Sequence, residues 1–237
     1  MSRTAAFKTL LAGAIMLILS LAPGCGGATV ETETTPVAGE ETVTLPEPKH
    51  DSDVSLEESL TKRRSVRSYA DAPLTLEEVS QLLWAAQGIT DPAGLRTAPS
   101  AGGTYPLEVY AVAGNVKDLD AGVYRYIPDG HKLIKTIDGD IREALAEAAL
   151  SQEWVREAAV VFVFTGVYER TTGRYGERGI RYVHIELGHA AENLCLQETA
   201  LGLGPVTVGA FDDDKVSKTL GLPQDETPLY VVPVGRR

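Results

Sequence analysis

The run AAVVFVF, Ala158 to Phe164, constrains this chain more than any other stretch. It has no polar residue, it is rich in β-branched and aromatic side chains, and it is short. It therefore predicts a central strand buried on both faces, with structure packed above and below. LEVYAVA, Leu107 to Ala113, reads as another strand, and VTVGAF and PLYVVPVG near the end as two more. GVYRYIPDGHKLIKTI reads as a hairpin, turned by Pro128, Asp129 and Gly130. Helix signals stand between these strands. Thr75 can cap a helix whose box is completed by Glu78, with Leu74 and Val79 as a staple. Its apolar face is Leu76, Val79, Leu82, Leu83 and Ala86, and Gly88 ends it. LEESLTKRRS and DIREALAEAAL predict shorter helices, Gly179 to Leu201 a long one, and DDDKVSKTLG one capped by Asp212 or Asp213. Strands and helices alternate irregularly, with a hairpin inserted, which fits an α+β fold better than a doubly wound sheet.

The first 54 residues read differently. Arg3 and Lys8 precede the apolar run Leu10 to Leu19, followed by small residues and Cys25. This is the pattern of an export signal over residues 1–24, and the run is short for a membrane span. LAPGC resembles a bacterial lipoprotein signal, which implies a lipidated Cys25 and a domain tethered to the extracytoplasmic face of a membrane. Residues 25–54 carry seven acids against Lys49 alone and show no hydrophobic period. They predict a disordered acidic tether, leaving 55–237 as the folded domain. Cys195, the one cysteine within that domain, falls in an apolar helical stretch and reads as a buried, inert thiol.

Net charge is -11 with a pI near 4.9, which excludes a broad nucleic-acid or anionic-membrane surface. Against that background RRSVRSY stands out. Arg63, Arg64, Ser65 and Arg67 offer three guanidinium groups and a hydroxyl, a set suited to a small doubly charged anion. Two glycine-bearing loops join it. Pro99, Ser100, Ala101, Gly102 and Gly103 precede a strand, and Gly202, Gly204 and Gly209 punctuate ALGLGPVTVGAF. Small residues there let a flat polar ligand approach the backbone. His184 and His189 are five apart and share no helix face, and no HExxH occurs. With Glu186 they read as polar contacts near a site or subunit interface, and no metal site is expected.

RRSVRSY, APSAGGTYPLEVY, RYGERGIRYVHIELGHAAENLCLQETALGLG and PLYVVPVG occur in that order. Together they resemble the nitroreductase-like FMN proteins, in particular the SagB-type dehydrogenase branch, over nearly all of residues 57–236. The resemblance implies a nitroreductase-like α+β fold, a central mixed or antiparallel sheet flanked by helices, and a homodimer. It implies that Arg63, Arg64, Ser65 and Arg67 hold the FMN phosphate and the pyrimidine edge of the ring. It implies that Pro99 to Gly103 pack on the flavin of the neighbouring subunit, and that Gly209 and Ala210 offer backbone N–H groups to the ring. Relatives place a further basic pair after the last strand, where this chain has Arg236 and Arg237. The implied activity is hydride transfer through flavin N5 to a small-molecule or peptide substrate. Relatives that oxidise azoline rings in peptides use a Lys-Tyr pair, for which this chain offers Arg174-Tyr175, leaving Tyr175 as a candidate catalytic residue. The alternative is a non-catalytic lipoprotein that keeps the fold as a binding module. Val183, Leu187, Ala190, Ala191, Leu194 and Leu201, with Gly188, are the expected dimer contact on the long helix.

Overall fold

A computed structural model describes residues 41–237 of the chain. The expected signal, Cys25 and the tether up to residue 40 lie outside the described residues. The strands are β1 (Thr42–Thr44), β2 (Leu74–Thr75), β3 (Leu107–Ala113), β4 (Val116–Lys117), β5 (Gly122–Ile127), β6 (Lys132–Asp138), β7 (Val160–Gly166), β8 (Leu203–Pro205) and β9 (Thr227–Arg236). The helices are α1 (Leu56–Lys62), α2 (Leu76–Gln87), α3 (Arg142–Ala148), α4 (Glu153–Glu157), α5 (Glu169–Tyr175), α6 (Arg178–Ala200) and α7 (Asp213–Leu220).

Seven strands form one sheet in the order β1-β6-β5-β3-β7-β9-β8, with every neighbouring pair antiparallel. β2 and β4 make a small parallel pair beside it. All seven residues of β7 are buried, as the apolar run requires. Its alternate side chains serve two cores. Val160, Phe162 and Phe164 pack with Leu82, Leu83, Val183 and Leu194, so α2 and α6 cover one face. Val161 and Val163 pack with Leu145, Val155, Val216 and Leu220, so α3, α4 and α7 cover the other. The fold is α+β with an antiparallel central sheet.

The start of α2 is fixed as the sequence indicates. Thr75 Oγ1 accepts from the Glu78 N–H at 3.3 Å, and Glu78 Oε2 accepts from the Thr75 N–H at 2.8 Å. Asp212 caps α7. The hairpin of β5 and β6 forms with its turn at 128–131.

Three expectations need correction. VTVGAF is not a strand. β8 forms just before it, and only Val208 makes a bridge, to Val231. Pro205 and Pro233 remove N–H donors that a longer ladder would need, so the chain bows off the sheet. The long helix turns Val183, Ala190, Ala191 and Leu194 into its own core, because the sheet beneath requires that cover. Its exposed face carries Ile185, Gly188, His189 and Glu192 instead.

The third correction concerns residues 41–54, which are not a free tether. β1 pairs with β6 through Thr42 and Ile134, Val43 and Leu133, and Thr44 and Lys132. Leu45 is buried at 4% exposure. The Ser80 hydroxyl donates to the Pro46 carbonyl at 2.5 Å, the Lys49 N–H donates to Gln81 Oε1 at 2.8 Å, and His50 stacks on Trp84 at 5.2 Å. The edge of β6 supplies unpaired backbone groups, and a Thr-Val-Thr strand satisfies them without any strong hydrophobic pattern. Removal of residues 41–54, compared with a chain starting at residue 41, is expected to lower stability by about 3 kcal/mol. That sum comes from one buried leucine and several backbone hydrogen bonds. Urea midpoints of the two truncations measure it, and equal midpoints would show that the strap contributes nothing.

Candidate functional site

The basic segment leaves α1 at Arg63 and runs extended across the sheet edge. The Val66 N–H donates to Pro205 O at 2.7 Å and the Ala70 N–H to Arg236 O at 3.0 Å. The Tyr69 hydroxyl donates to Pro233 O at 3.1 Å. Two glycines admit this path. A Cβ on Gly204 would meet Val66 at 2.8 Å, and one on Gly235 would meet Tyr69 at 2.5 Å. Val66 and Tyr69 thus face the sheet, while Arg64, Ser65 and Arg67 stay exposed and Arg63 half-buried. The Arg67 guanidinium sits 5.5 Å from the Trp154 ring. Among the described residues, Arg63, Arg64 and Arg67 form no ion pair. Their charge is uncompensated.

Arg236 is engaged elsewhere. Its two terminal nitrogens hold the Glu78 carboxylate at 2.7 and 2.8 Å, tying the end of β9 to the start of α2. Below the segment lies Glu198 on α6, fully buried, with neither carboxylate oxygen hydrogen-bonded. Burial pushes its carboxyl well above the usual range, and the Arg237 charge opposes that only in part. The Cys195 thiol beside it is also pushed up, by burial and then by Glu198. It is the inert thiol that the sequence indicates.

The glycine loop is built on different elements. Ala101–Gly103 form a 3-10 turn in which Gly102 and Gly103 have φ of 63° and 66°, a region open to glycine. The Ser100 hydroxyl accepts from the Tyr105 N–H at 2.9 Å. Tyr105 itself is left-handed at φ 43°; Arg170 donates to its carbonyl at 3.1 Å and Arg96 lies 4.3 Å from its ring. A strained residue pinned on three sides fixes the loop. From α5, Arg174 Nη1 donates to Gly102 O at 3.1 Å, and the Tyr175 hydroxyl lies 2.5 Å from where a Gly102 Cβ would stand. Tyr175 meets Tyr182 edge-on at 5.2 Å. Beneath the loop, Glu186 is 2% exposed and leaves Oε1 without a partner. Burial pushes its carboxyl up to about 7, against the pull of Ser100 and Arg96. Pro99, Gly102 and Gly103 stay exposed and Ala101 half-exposed.

Gly209 and Ala210 are exposed in the loop after β8, and Ala210 O accepts from Gln152 at 2.8 Å. Gln152 and Trp154 belong to the same short stretch, so α4 brings this loop and Arg67 to one region. The glycine loop is not brought there. It leads into Leu107, which pairs with Gly166 and through it with Thr227, the first residue of β9. The basic segment meets Arg236, the last residue. The two halves thus approach opposite ends of β9, while Gly209 stands beside Tyr230 toward the middle of that strand. Sequence reasoning missed Arg96, Trp154 and Glu198. The signal for Glu198 was an acid on the inward face of an apolar helix. His184 lies 2.6 Å from the Tyr168 hydroxyl and His189 is exposed, at separate places on α6.

The nitroreductase family model matches residues 60–236, and the chain belongs to that family. A protein of Methanocaldococcus jannaschii, provisionally named as nitroreductase MJ1384, is 48% identical over 185 residues, covering 78% of this chain and 92% of that protein. A solved structure from Ralstonia eutropha, also provisionally called a nitroreductase, is 30% identical with a TM-score of 0.73, covering 84% of this chain and 91% of that one. The microcin B17-processing protein McbC of Escherichia coli is 26% identical over 175 residues, covering 67% of this chain and 61% of McbC.

Glu186 makes stability depend on pH. Unfolded, it releases its proton near 4.5; folded, near 7. Between those values the folded state holds a proton that the unfolded state has lost, so this group lowers stability as pH rises through that window. Glu186→Gln removes the titration. Urea midpoints from pH 4.5 to 7.5 are expected to fall less steeply for the variant than for the natural chain. Parallel curves would show that Glu186 titrates alike in both states.

Proposed function

We propose that this chain is an FMN-dependent oxidoreductase of the nitroreductase family, acting as a homodimer. Each flavin would be held by the basic segment of one chain and covered by the glycine loop of the other. The observation that carries the reading is the uncompensated charge of Arg63, Arg64 and Arg67 beside Ser65 in an otherwise acidic domain. Guanidinium groups pair in bidentate fashion with a phosphate, and the phosphate supplies the charge this cluster lacks. The exposed peptides of Gly209 and Ala210, on the same side, suit the polar edge of the ring. Flavin, when bound, supplies the hydride chemistry, and the protein contributes placement and electrostatics. Tyr175, packed against Gly102, is the candidate catalytic side chain.

The approach of the two halves to opposite ends of β9 favours a dimeric site, in which each chain supplies one half. Leu56 and Leu60 on α1, 60% and 54% exposed, and Ile180 and Ile185 on α6, 45% and 49% exposed, give an apolar surface for a partner. The signal over 1–24 and Cys25 extend the reading to a lipid-anchored enzyme outside the cytoplasm. Nicotinamide donors belong to the cytoplasm, so such an enzyme draws electrons from another source. McbC processes a peptide, and peptide oxidation is the second reading. Arg174 counts against it, because a guanidinium keeps its proton at ordinary pH.

Arg67→Ala is expected to weaken FMN binding by about one and a half to three decades, the equivalent of roughly 2 to 4 kcal/mol for a phosphate left under-satisfied. Riboflavin, which lacks the phosphate, should lose much less. Fluorescence titration of both flavins decides it; equal losses would remove the phosphate role, and a natural chain that cannot be loaded with FMN would end the enzyme reading in favour of a binding module.

A further inference from the structure

We infer that Arg174, with Tyr175 and Tyr182, recognises an anion: the molecule that meets the flavin is a small, planar, conjugated carboxylate. This rests on the FMN reading above and names the substrate class for that site. Arg174 ends α5 exposed, with one nitrogen committed to the Gly102 carbonyl at 3.1 Å. That bond orients the guanidinium on the loop and leaves its other N–H groups free for a bidentate partner. Among the described residues it has no carboxylate partner, and neither has Arg178, which lies 5.8 Å from the Tyr182 ring.

The surrounding acids do not cancel this charge. Glu108 is taken by Arg170 at 2.6 Å. Glu186 is buried beneath Ser100 and retains its proton up to about neutral pH. Glu169 and Glu177 flank α5 and point to solvent, while Arg96 adds a half-buried cation beside Tyr105. The rim is net positive in a chain of net charge -11. Tyr175 and Tyr182, half-buried and packed edge to face at 5.2 Å, with the Tyr175 ring 5.5 Å from the Arg174 guanidinium, put aromatic surface beside the cation, which favours a conjugated ring over a flexible chain.

The test uses the full chain loaded with FMN and held oxidised, titrated calorimetrically with 4-nitrobenzoate and with the neutral 4-nitrobenzamide. The carboxylate is expected to bind at least about tenfold more tightly, with the difference shrinking as salt rises. Arg174→Gln should abolish the preference and Arg174→Lys keep part of it. Equal binding of the two ligands, no binding of either, or a preference that survives Arg174→Gln overturns the inference. Flavin content is measured on the same samples. A protein that holds FMN but shows no charge preference overturns only the anion site, whereas a protein that cannot hold FMN overturns the FMN reading as well.

Discussion

Burial of β7 on both faces is the constraint on which the other features depend. With Val160, Phe162 and Phe164 on one side and Val161 and Val163 on the other, the sheet must be covered twice. α2 and α6 meet one demand; α3, α4 and α7 meet the other. The antiparallel pairing of β3, β7 and β9 then decides where the two loops emerge. Leu107, Gly166 and Thr227 mark one end of the three strands, and Ala113, Val160 and Val234 lie toward the other. The glycine loop enters at the first end and the basic segment crosses near the second. The placement of the two half-sites toward different ends of the sheet is therefore a consequence of strand register, and the proposed sharing of a site between two chains rests on it.

Electrostatics divides the arginines by task. Arg236 closes on Glu78 and locks the last strand to α2. Arg170 closes on Glu108 and steadies Tyr105. Arg63, Arg64, Arg67 and Arg174 have no such partner among the described residues, and all but the half-buried Arg63 are exposed. Two buried acids on α6, Glu186 and Glu198, lie under the glycine loop and the basic segment respectively. Their desolvation keeps them protonated further up the pH scale, so they subtract less charge from the cations above them.

Much of this was legible in the sequence wherever one local rule was strong. The capping box of α2, the hairpin turn, the run in β7 and the length of α6 each rest on short-range chemistry. The basic segment was legible because its charge contrasts with the rest of the domain. What escaped depended on distant partners. β1 has no pattern of its own and exists because the edge of β6 was open. VTVGAF has a strand's composition, but Pro205 just before it and Pro233 opposite it break the ladder. The apolar face of α6 was visible, but whether it met the chain's own sheet or another subunit is a tertiary fact. α5, with Gly173 and two threonines inside it, carries little helix propensity and is held by its contacts with α6.

The central claim, that one flavin is shared between two chains, has a direct test. Chains carrying Arg63→Ala with Arg67→Ala are coexpressed with chains carrying Gly102→Val, and the mixed dimer is isolated by two affinity tags. If the basic segment and the glycine loop of a site come from different chains, the mixed dimer has one doubly damaged site and one intact site. The account predicts about one tightly bound FMN per mixed dimer, with each parent homodimer nearly empty. A mixed dimer as empty as both parents would place the whole site on a single chain and contradict the account.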